Sequence, residues 1–573
     1  MTWPWVCSAA APTSSRSRAN PAAMVLAEKL VRYPAEVVAG YRQRGLWGDL
    51  TIGDELRAVA RRYASLEAVV TPERRLSYAD LDGESEAVAT RLHRLGLRAG
   101  DAVILQVGNT AESLVAFYGL IKLGAVPVCS LIPFGHHEID AIAGIVDARA
   151  HLVQADIPEP DLVAFAREVK DVVPSMELIL TIRGGADGAH RIDDAEPARA
   201  SAVYPEPGAD DVAVFQLSGG TTGTPKVIPR FHAEYWYYGR VSAARFGYAP
   251  GDRVGHFLPL VHNAGIHAAV FAAHSVGATL VLGPTWRPDL VLGLLASEKL
   301  THLNTLTSLI PSVCDDPAFP EAAANLKRLS LAVPAVPPEL FDRITGLGLQ
   351  VCQFYGMSEG FACSMPTDAP VQMRRETVGY PLSPEDEFTI RDPETGADVV
   401  HGATGELCVR GPYTLRGYYG AEEHNARAFT DDGFYRTGDL VSSIEIEGHP
   451  CFRIEGRHKD LISRGGEKIN AHEIEDLLVQ LPNVREAALV AMPDSRLGER
   501  PCAFVVTAPA DPPLLSDVRA FLAERGVAKF KWPERIEAID ALPLTPVGKV
   551  AKAKLREEIR HRLQLESTPS FGN

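Results

Sequence analysis

Leu217-Ser218-Gly219-Gly220-Thr221-Thr222-Gly223-Thr224-Pro225-Lys226 follows directly on the apolar run Asp211-Val212-Ala213-Val214-Phe215-Gln216. The run predicts a short buried strand. A strand that opens into glycines, hydroxyls and a lysine suits a polyphosphate. Glycine lets backbone N–H groups approach an anion, Ser and Thr hydroxyls donate hydrogen bonds, and lysine adds a point charge. The pattern G-x-x-x-x-G-K-[ST] is not met, because Lys226 follows Pro225, so this is not a Walker loop. The bland alternative is a solvated Gly/Thr turn. The ordered string from Ser218 to Lys226 favours phosphate.

Working outward, 573 residues exceed what one core holds, so two or more domains are expected. Hydrophobic content of 46% and charged content of 23% are those of a soluble globular protein. A formal charge of −16 argues against a general nucleic-acid or anionic-membrane binder, and any anion site must be locally basic. The eight cysteines form no C-x-x-C pair, so neither a zinc site nor a disulfide framework is indicated, and reduced thiols in the cytoplasm are the simplest reading. No apolar run approaches the roughly 18 residues of a membrane helix.

Residues 1–23, rich in Ala, Ser, Pro and Arg, lack the apolar core of a signal peptide and read as a disordered extension, with Met24 the natural beginning. Ser77 is a helix cap for the segment from Tyr78. Asp101 to Val107 reads as a strand, Glu112 to Leu123 as a helix ending at Gly124, and Val126-Pro127-Val128 as a strand. Gly277 to Leu282 and Leu329 to Val333 continue the alternation. Strands alternating with helices predict α/β layers with largely parallel sheets. Near Lys459 the texture changes. The remainder reads as small and α+β, with a helix from Ala471 and strands at Val484 to Ala491 and Ala503 to Val506.

Four further motifs follow the loop in order: Tyr355-Gly356-Met357-Ser358-Glu359, Tyr435-Arg436-Thr437-Gly438-Asp439-Leu440, Gly456-Arg457-His458-Lys459-Asp460, and Gly548-Lys549. Singly, each reads as a turn or a solvated charge. Together and in this order they resemble the acyl-adenylate-forming enzymes: acyl-CoA synthetases, adenylation domains of peptide synthetases, and luciferases. The resemblance runs from about Tyr33 over nearly the whole chain. It implies a large N-terminal adenylate-forming domain of layered sheets and helices over 24–458, and a small mobile α+β C-terminal lid domain over 459–573.

The resemblance also implies the cofactors, ATP and Mg²⁺, and the roles. Ser218, Gly219, Gly220, Thr221, Thr222, Gly223 and Lys226 would hold the phosphates. Tyr355, Gly356 and Met357 would lie near adenine, and Glu359 near the metal. Asp439 would accept from the ribose hydroxyls, a bidentate role suited to a carboxylate. Arg457 would touch ribose or phosphate, Lys459 would be the hinge, and Lys549 would span the acid and the α-phosphate.

Arg410-Gly411-Pro412-Tyr413-Thr414-Leu415-Arg416-Gly417-Tyr418-Tyr419 and Pro259-Leu260-Val261-His262-Asn263 are similar to the stand-alone aryl-acid branch, whose members activate 2,3-dihydroxybenzoate or salicylate. By that resemblance Asn263 would meet an ortho substituent and His262 the carboxylate end. The chain departs from the branch at Ala264, Ala268, Ala332-Val333 and Ala362, where it is smaller or less polar. A roomier, less polar pocket is expected, suited to a quinoline-2-carboxylate or a substituted aminobenzoate. The implied reaction is ATP-dependent formation of an aryl-adenylate. Transfer follows to the phosphopantetheine thiol of a separate carrier protein, with coenzyme A as the other acceptor. An alkyl-acid ligase and a non-catalytic adenylate binder are the competing classes.

Overall fold

The structure is a computed structural model that describes residues 28–194, 204, 207–218, 225–307, 309–332, 336, 338–393, 395–457, 461–507, 512–543, 550 and 552–567. The expectations at residues 1–23, Gly219 to Gly223, Val333, Lys459 and Lys549 lie outside these, as does the side chain of Arg457.

Local signals set much of the scaffold. Ala102–Gln106 is buried at every position, as an unbroken apolar run between two helical layers demands. The helix Ala111–Leu123 stops at Gly124, whose φ of +81° a residue with a Cβ would resist. Ser77 and Asp80 form a capping box that starts the helix Tyr78–Arg94.

Among the described residues the large part holds a seven-stranded sheet, a nine-stranded sheet and a four-stranded antiparallel sheet. The first two are parallel in their centres, with an antiparallel strand at one edge of the seven-stranded sheet and antiparallel strands at both edges of the nine-stranded one.

Eight elements position the site. Helix α1 (His136–Val146) faces the small domain. Strands β1 (Val212–Ser218) and β2 (Lys226–Phe231) are antiparallel, with Ser218 opposite Lys226, and α2 (His232–Phe246) follows. A π-helix, Gly265–Phe271, packs on α2. Strands β3 (Arg328–Ala332) and β4 (Gln350–Met357) are parallel, and β5 (Phe361–Ser364) returns antiparallel to β4. Tyr355, Gly356 and Met357 are therefore the last residues of β4 itself.

The small domain carries a five-stranded sheet with a separate core on each face. Helix α3 (Ala471–Leu478) and the segment Gly526 to Lys531 belong to the face that meets the large domain. Leu542 and Val550, which flank the segment bearing Lys549, pack on the other face with Leu555 and Ile559.

The two domains meet closely. Gly135, at the start of α1, lies so near Gly526 that a Cβ on it would sit 2.0 Å from the Gly526 carbonyl oxygen. Beside this contact Lys531 Nζ donates to Glu138 Oε1 at 3.0 Å and to Glu473 Oε1 and Oε2 at 3.0 and 3.1 Å, all three side chains being buried. His137 Nε2 lies 3.1 Å from Glu473 Oε1.

Candidate active site

Lys226 begins β2, directly across from Ser218. Its Nζ is 2.8 Å from His424 Nε2 and 5.0 Å from the centre of the Tyr418 ring. The Tyr418 hydroxyl donates to Glu359 Oε1 at 2.7 Å and lies 2.9 Å from the Tyr435 hydroxyl. Burial raises both phenols well above their ordinary pKa, so they stay protonated and can donate. Tyr418 thus links the lysine at the end of the loop to the carboxylate read as the metal ligand.

Gly360, next to Glu359, must be glycine. Its φ is +90°, and a Cβ would stand 1.7 Å from the Tyr413 carbonyl oxygen. Beneath it runs the buried Arg230–Glu234 ion pair, with Arg230 Nη1 donating to Ser358 O at 3.4 Å. Burial pushes the Glu234 carboxyl up to about 7, against the pull of Arg230.

Asp439 is buried and held from the side. The Tyr355 hydroxyl donates to Asp439 Oδ2 at 2.7 Å, and Asp439 pairs in register with Arg457 on the neighbouring strand. Two of the separate motifs, Tyr355 and Asp439, are therefore in direct contact.

Ala332, Gly356 and Ala362, read as lining the acid side, sit on one face of the nine-stranded sheet. Ala332 pairs with Phe354, and Gly356 pairs with Ala362. Alternation puts Phe354 and Gly356 on the same face, so Ala332, Phe354, Gly356 and Ala362 share a patch. A Cβ on Gly356 would be 3.3 Å from both Ala362 Cβ and Phe354 Cζ.

Above the patch, Asn263 Nδ2 donates to Met357 O at 3.1 Å. Asn263 Oδ1 accepts from Tyr235 at 2.9 Å, and Tyr235 accepts from Gln216 Nε2 at 3.1 Å. His262 lies beside Asn263, its Nε2 3.5 Å from Glu467 Oε1 of the small domain. The adjacent Gly466 meets Leu306, which pairs with Ala332; a Cβ on it would be 2.5 Å from Leu306 Cδ1. The loop from Arg464 to Lys468 therefore lies over His262 and the strand end beside Ala332.

Ala264, Ala268 and Ala362 do not share one environment. Ala264 is exposed, whereas Ala268 and Ala362 are buried. Large rings stand close to the two buried ones. His267, next in chain to Ala268, stacks on Tyr238 at 3.7 Å, and Phe354 lies by Ala362.

Among the described residues no group of three or more His, Cys, Asp or Glu could hold a metal ion by itself, and no helix is long and apolar enough to cross a membrane. Sequence reasoning missed Tyr418, Tyr435, Tyr235, His267 and Glu467. Tyr418 and Tyr435 stand inside motifs already singled out, so their chemistry was in view. Tyr235 and His267 carry no local signal.

A family model described as AMP-binding enzyme matches residues 56–419, and one described as AMP-binding enzyme C-terminal domain matches residues 473–549. The chain is 36% identical over 543 residues to 2,3-dihydroxybenzoate-AMP ligase of Bacillus subtilis (strain 168), covering 93% of this chain and 98% of that protein. It is 35% identical over 548 residues to 2-hydroxy-7-methoxy-5-methyl-1-naphthoate--CoA ligase of Streptomyces carzinostaticus, covering 92% and 96%. Among solved structures, apo MbtA of Mycobacterium smegmatis matches with a TM-score of 0.71 at 34% identity, covering 93% of this chain and 99% of that one.

Proposed function

The chain belongs to the family of AMP-binding enzymes, and we propose that it activates an aryl carboxylic acid with ATP. An oxygen of the carboxylate attacks the α-phosphorus. Pyrophosphate leaves with the electron pair of the broken P–O bond, and an aryl-adenylate remains. A thiolate then attacks the acyl carbon and AMP departs with the acid's oxygen.

The observation that carries this reading is the meeting of Lys226 and Glu359 at Tyr418, whose hydroxyl touches Tyr435 on the same strand as Asp439, itself held by Tyr355. A cation, a carboxylate and a second, separately oriented carboxylate suit triphosphate, its metal and a ribose diol. Residues 218–223 with Lys226 bind the phosphates. Asp439 accepts from the ribose hydroxyls, with Arg457 beside it. Glu359 fits Mg²⁺, which takes one or two carboxylates plus phosphate oxygens rather than an all-protein cage. When bound, the metal would neutralise charge on the phosphates. Lys549 bridges the acid and the α-phosphate as charge develops there.

His262 and Asn263 orient the acid over Ala332, Gly356 and Ala362. The relatives named for 2,3-dihydroxybenzoate and for a naphthoate support an aryl ring, and the second supports a bicyclic one. The acceptor is a carrier-protein phosphopantetheine, with coenzyme A as the alternative. Glu467 and Gly466 lie over the acid side while Leu542 and Val550 lie on the far face of the small domain. This pose therefore suits thiol transfer, and adenylation needs the small domain turned about Lys459.

ATP–pyrophosphate exchange tests the activity with salicylate, 2,3-dihydroxybenzoate, 3-hydroxyanthranilate, quinoline-2-carboxylate and octanoate. Exchange driven by an aryl acid and not by octanoate is expected. Exchange with octanoate alone would overturn the reading.

A further inference from the structure

We propose that His267 is a specificity-determining residue of the acid pocket, its Nε2 accepting a hydrogen bond from a hydroxyl or amino group on the ring of the aryl acid. The inference rests on the aryl-acid reading above.

Position comes first. The π-helix that holds His267 starts just after Asn263, and both residues lean on α2: Asn263 bonds Tyr235, and His267 stacks on Tyr238, one turn further along. The His267 ring also stands 6.1 Å from Phe354, which borders Gly356 and Ala362. His267 therefore flanks the same small-residue patch that Asn263 overhangs. A short π-helical segment is a common device for turning a side chain into a site.

Orientation is fixed next. The rings of His267 and Tyr238 are 3.7 Å apart and nearly parallel, at 8°. The other face of Tyr238 stacks on Tyr413 at 4.2 Å and 2°, and the Tyr413 hydroxyl donates to Asp386. The imidazole plane is thus locked within a three-ring stack.

The tautomer follows from Ser242. Its one hydroxyl proton goes to Tyr238 O at 2.8 Å, so Oγ accepts from His267 Nδ1–H at 3.0 Å. Nε2 is left with a lone pair, and among the described residues it has no hydrogen-bond partner. Burial, helped by the Arg230 charge, holds the imidazole well below its ordinary pKa, so Nε2 accepts rather than donates.

Asn263 complements it. Its oxygen is committed to Tyr235 and one amide proton to Met357 O, which leaves one N–H to donate. The pocket then offers one donor, Asn263, and one acceptor, His267. It fits an aryl acid that carries both an acceptor and an O–H or N–H donor on its ring system. An acid lacking that donor leaves a buried acceptor unpaired, which such sites discriminate against.

The test measures kcat/KM in pyrophosphate exchange for matched acids: salicylate against 2-methoxybenzoate and benzoate, and 3-hydroxyquinoline-2-carboxylate against its 3-methoxy and unsubstituted counterparts. In the parent enzyme, the donor-bearing member of the better scaffold is expected to win by about ten- to a hundredfold. His267→Phe keeps the stack and removes the nitrogen; its ratio falls to within about twofold while the KM for ATP holds. His267→Gln, whose carbonyl can accept, keeps part of the preference and serves if His267→Phe does not fold by thermal unfolding. A parent without donor preference, or either variant with the parent's full ratio, overturns the proposal. Failure of every aryl acid to support exchange overturns the aryl-acid reading along with it, whereas robust exchange with flat ratios overturns this inference alone.

Discussion

Gly135→Ala isolates the contact between the two domains. At Gly135 φ is −102° and ψ is −164°, which alanine adopts without strain, so the large domain should fold. Losing glycine at a helix start costs it at most about 1 kcal/mol. In the docked pose the new methyl would stand 2.0 Å from the Gly526 carbonyl oxygen, 2.9 Å from its carbon and 3.2 Å from its Cα. Comfortable contact needs about 3.5 Å, and both sides are backbone, so the small domain must retreat by more than an ångström. That overpacking costs about 1–3 kcal/mol. The retreat also stretches the 3.0 Å bond from Lys531 to buried Glu138, and breaking a buried pair costs about 3–5 kcal/mol. Taking the low ends together, about 4 kcal/mol, the docked population should fall by roughly three decades. Transfer to the thiol from supplied adenylate should drop to match, while pyrophosphate exchange stays within about twofold. Unchanged transfer, or equal loss of both half-reactions, would refute the reasoning.

Other outcomes follow from the same geometry. His137 faces Glu473 and Glu138, which raise its pKa against Lys531 and burial. Docking should therefore be fully supported below the ordinary histidine value and weaken as pH rises through the raised one. Interdomain fluorescence transfer should report this, and His137→Gln should flatten the profile. Tyr355→Phe strips a donor from buried Asp439, so unfolding stability should fall by about 1.5–3 kcal/mol and the KM for ATP should rise; an unchanged KM would separate Asp439 from ATP. Lys549→Ala should slow exchange by roughly two to three decades, a lost charge in a water-excluded site being worth about 3–4 kcal/mol, while thiol transfer from supplied adenylate persists.

What the sequence made legible is what local physics decides. The strand at Ala102–Gln106, the helix ending at Gly124 and the Ser77 cap are set by neighbours in the chain, and each stands within a residue or two of where its signal put it. Gly356 misled because a glycine after an aromatic reads as a turn. Here it continues β4, its missing side chain making room beside Ala362. The motifs announced their residue types but not their contacts: that Tyr355 binds Asp439, or that Tyr418 links Lys226 to Glu359, depends on strands from distant segments. The bridge from Glu138 to Lys531 spans 393 residues and leaves no periodicity or spacing to read. The alanines at 268 and 362 argued for room. The stacked rings of His267, Tyr238 and Tyr413 come from three separate segments, and their packing is a tertiary fact.

The central claim, that the acid is activated by joining its own oxygen to the α-phosphorus, is tested most directly by oxygen tracing. An aryl acid labelled with ¹⁸O in its carboxylate is turned over with ATP and a thiol acceptor, and the phosphate-containing products are weighed by mass spectrometry. The account predicts one ¹⁸O in AMP and none in pyrophosphate or orthophosphate. Label in orthophosphate, with unlabelled ADP, would mean an acyl phosphate and would contradict it.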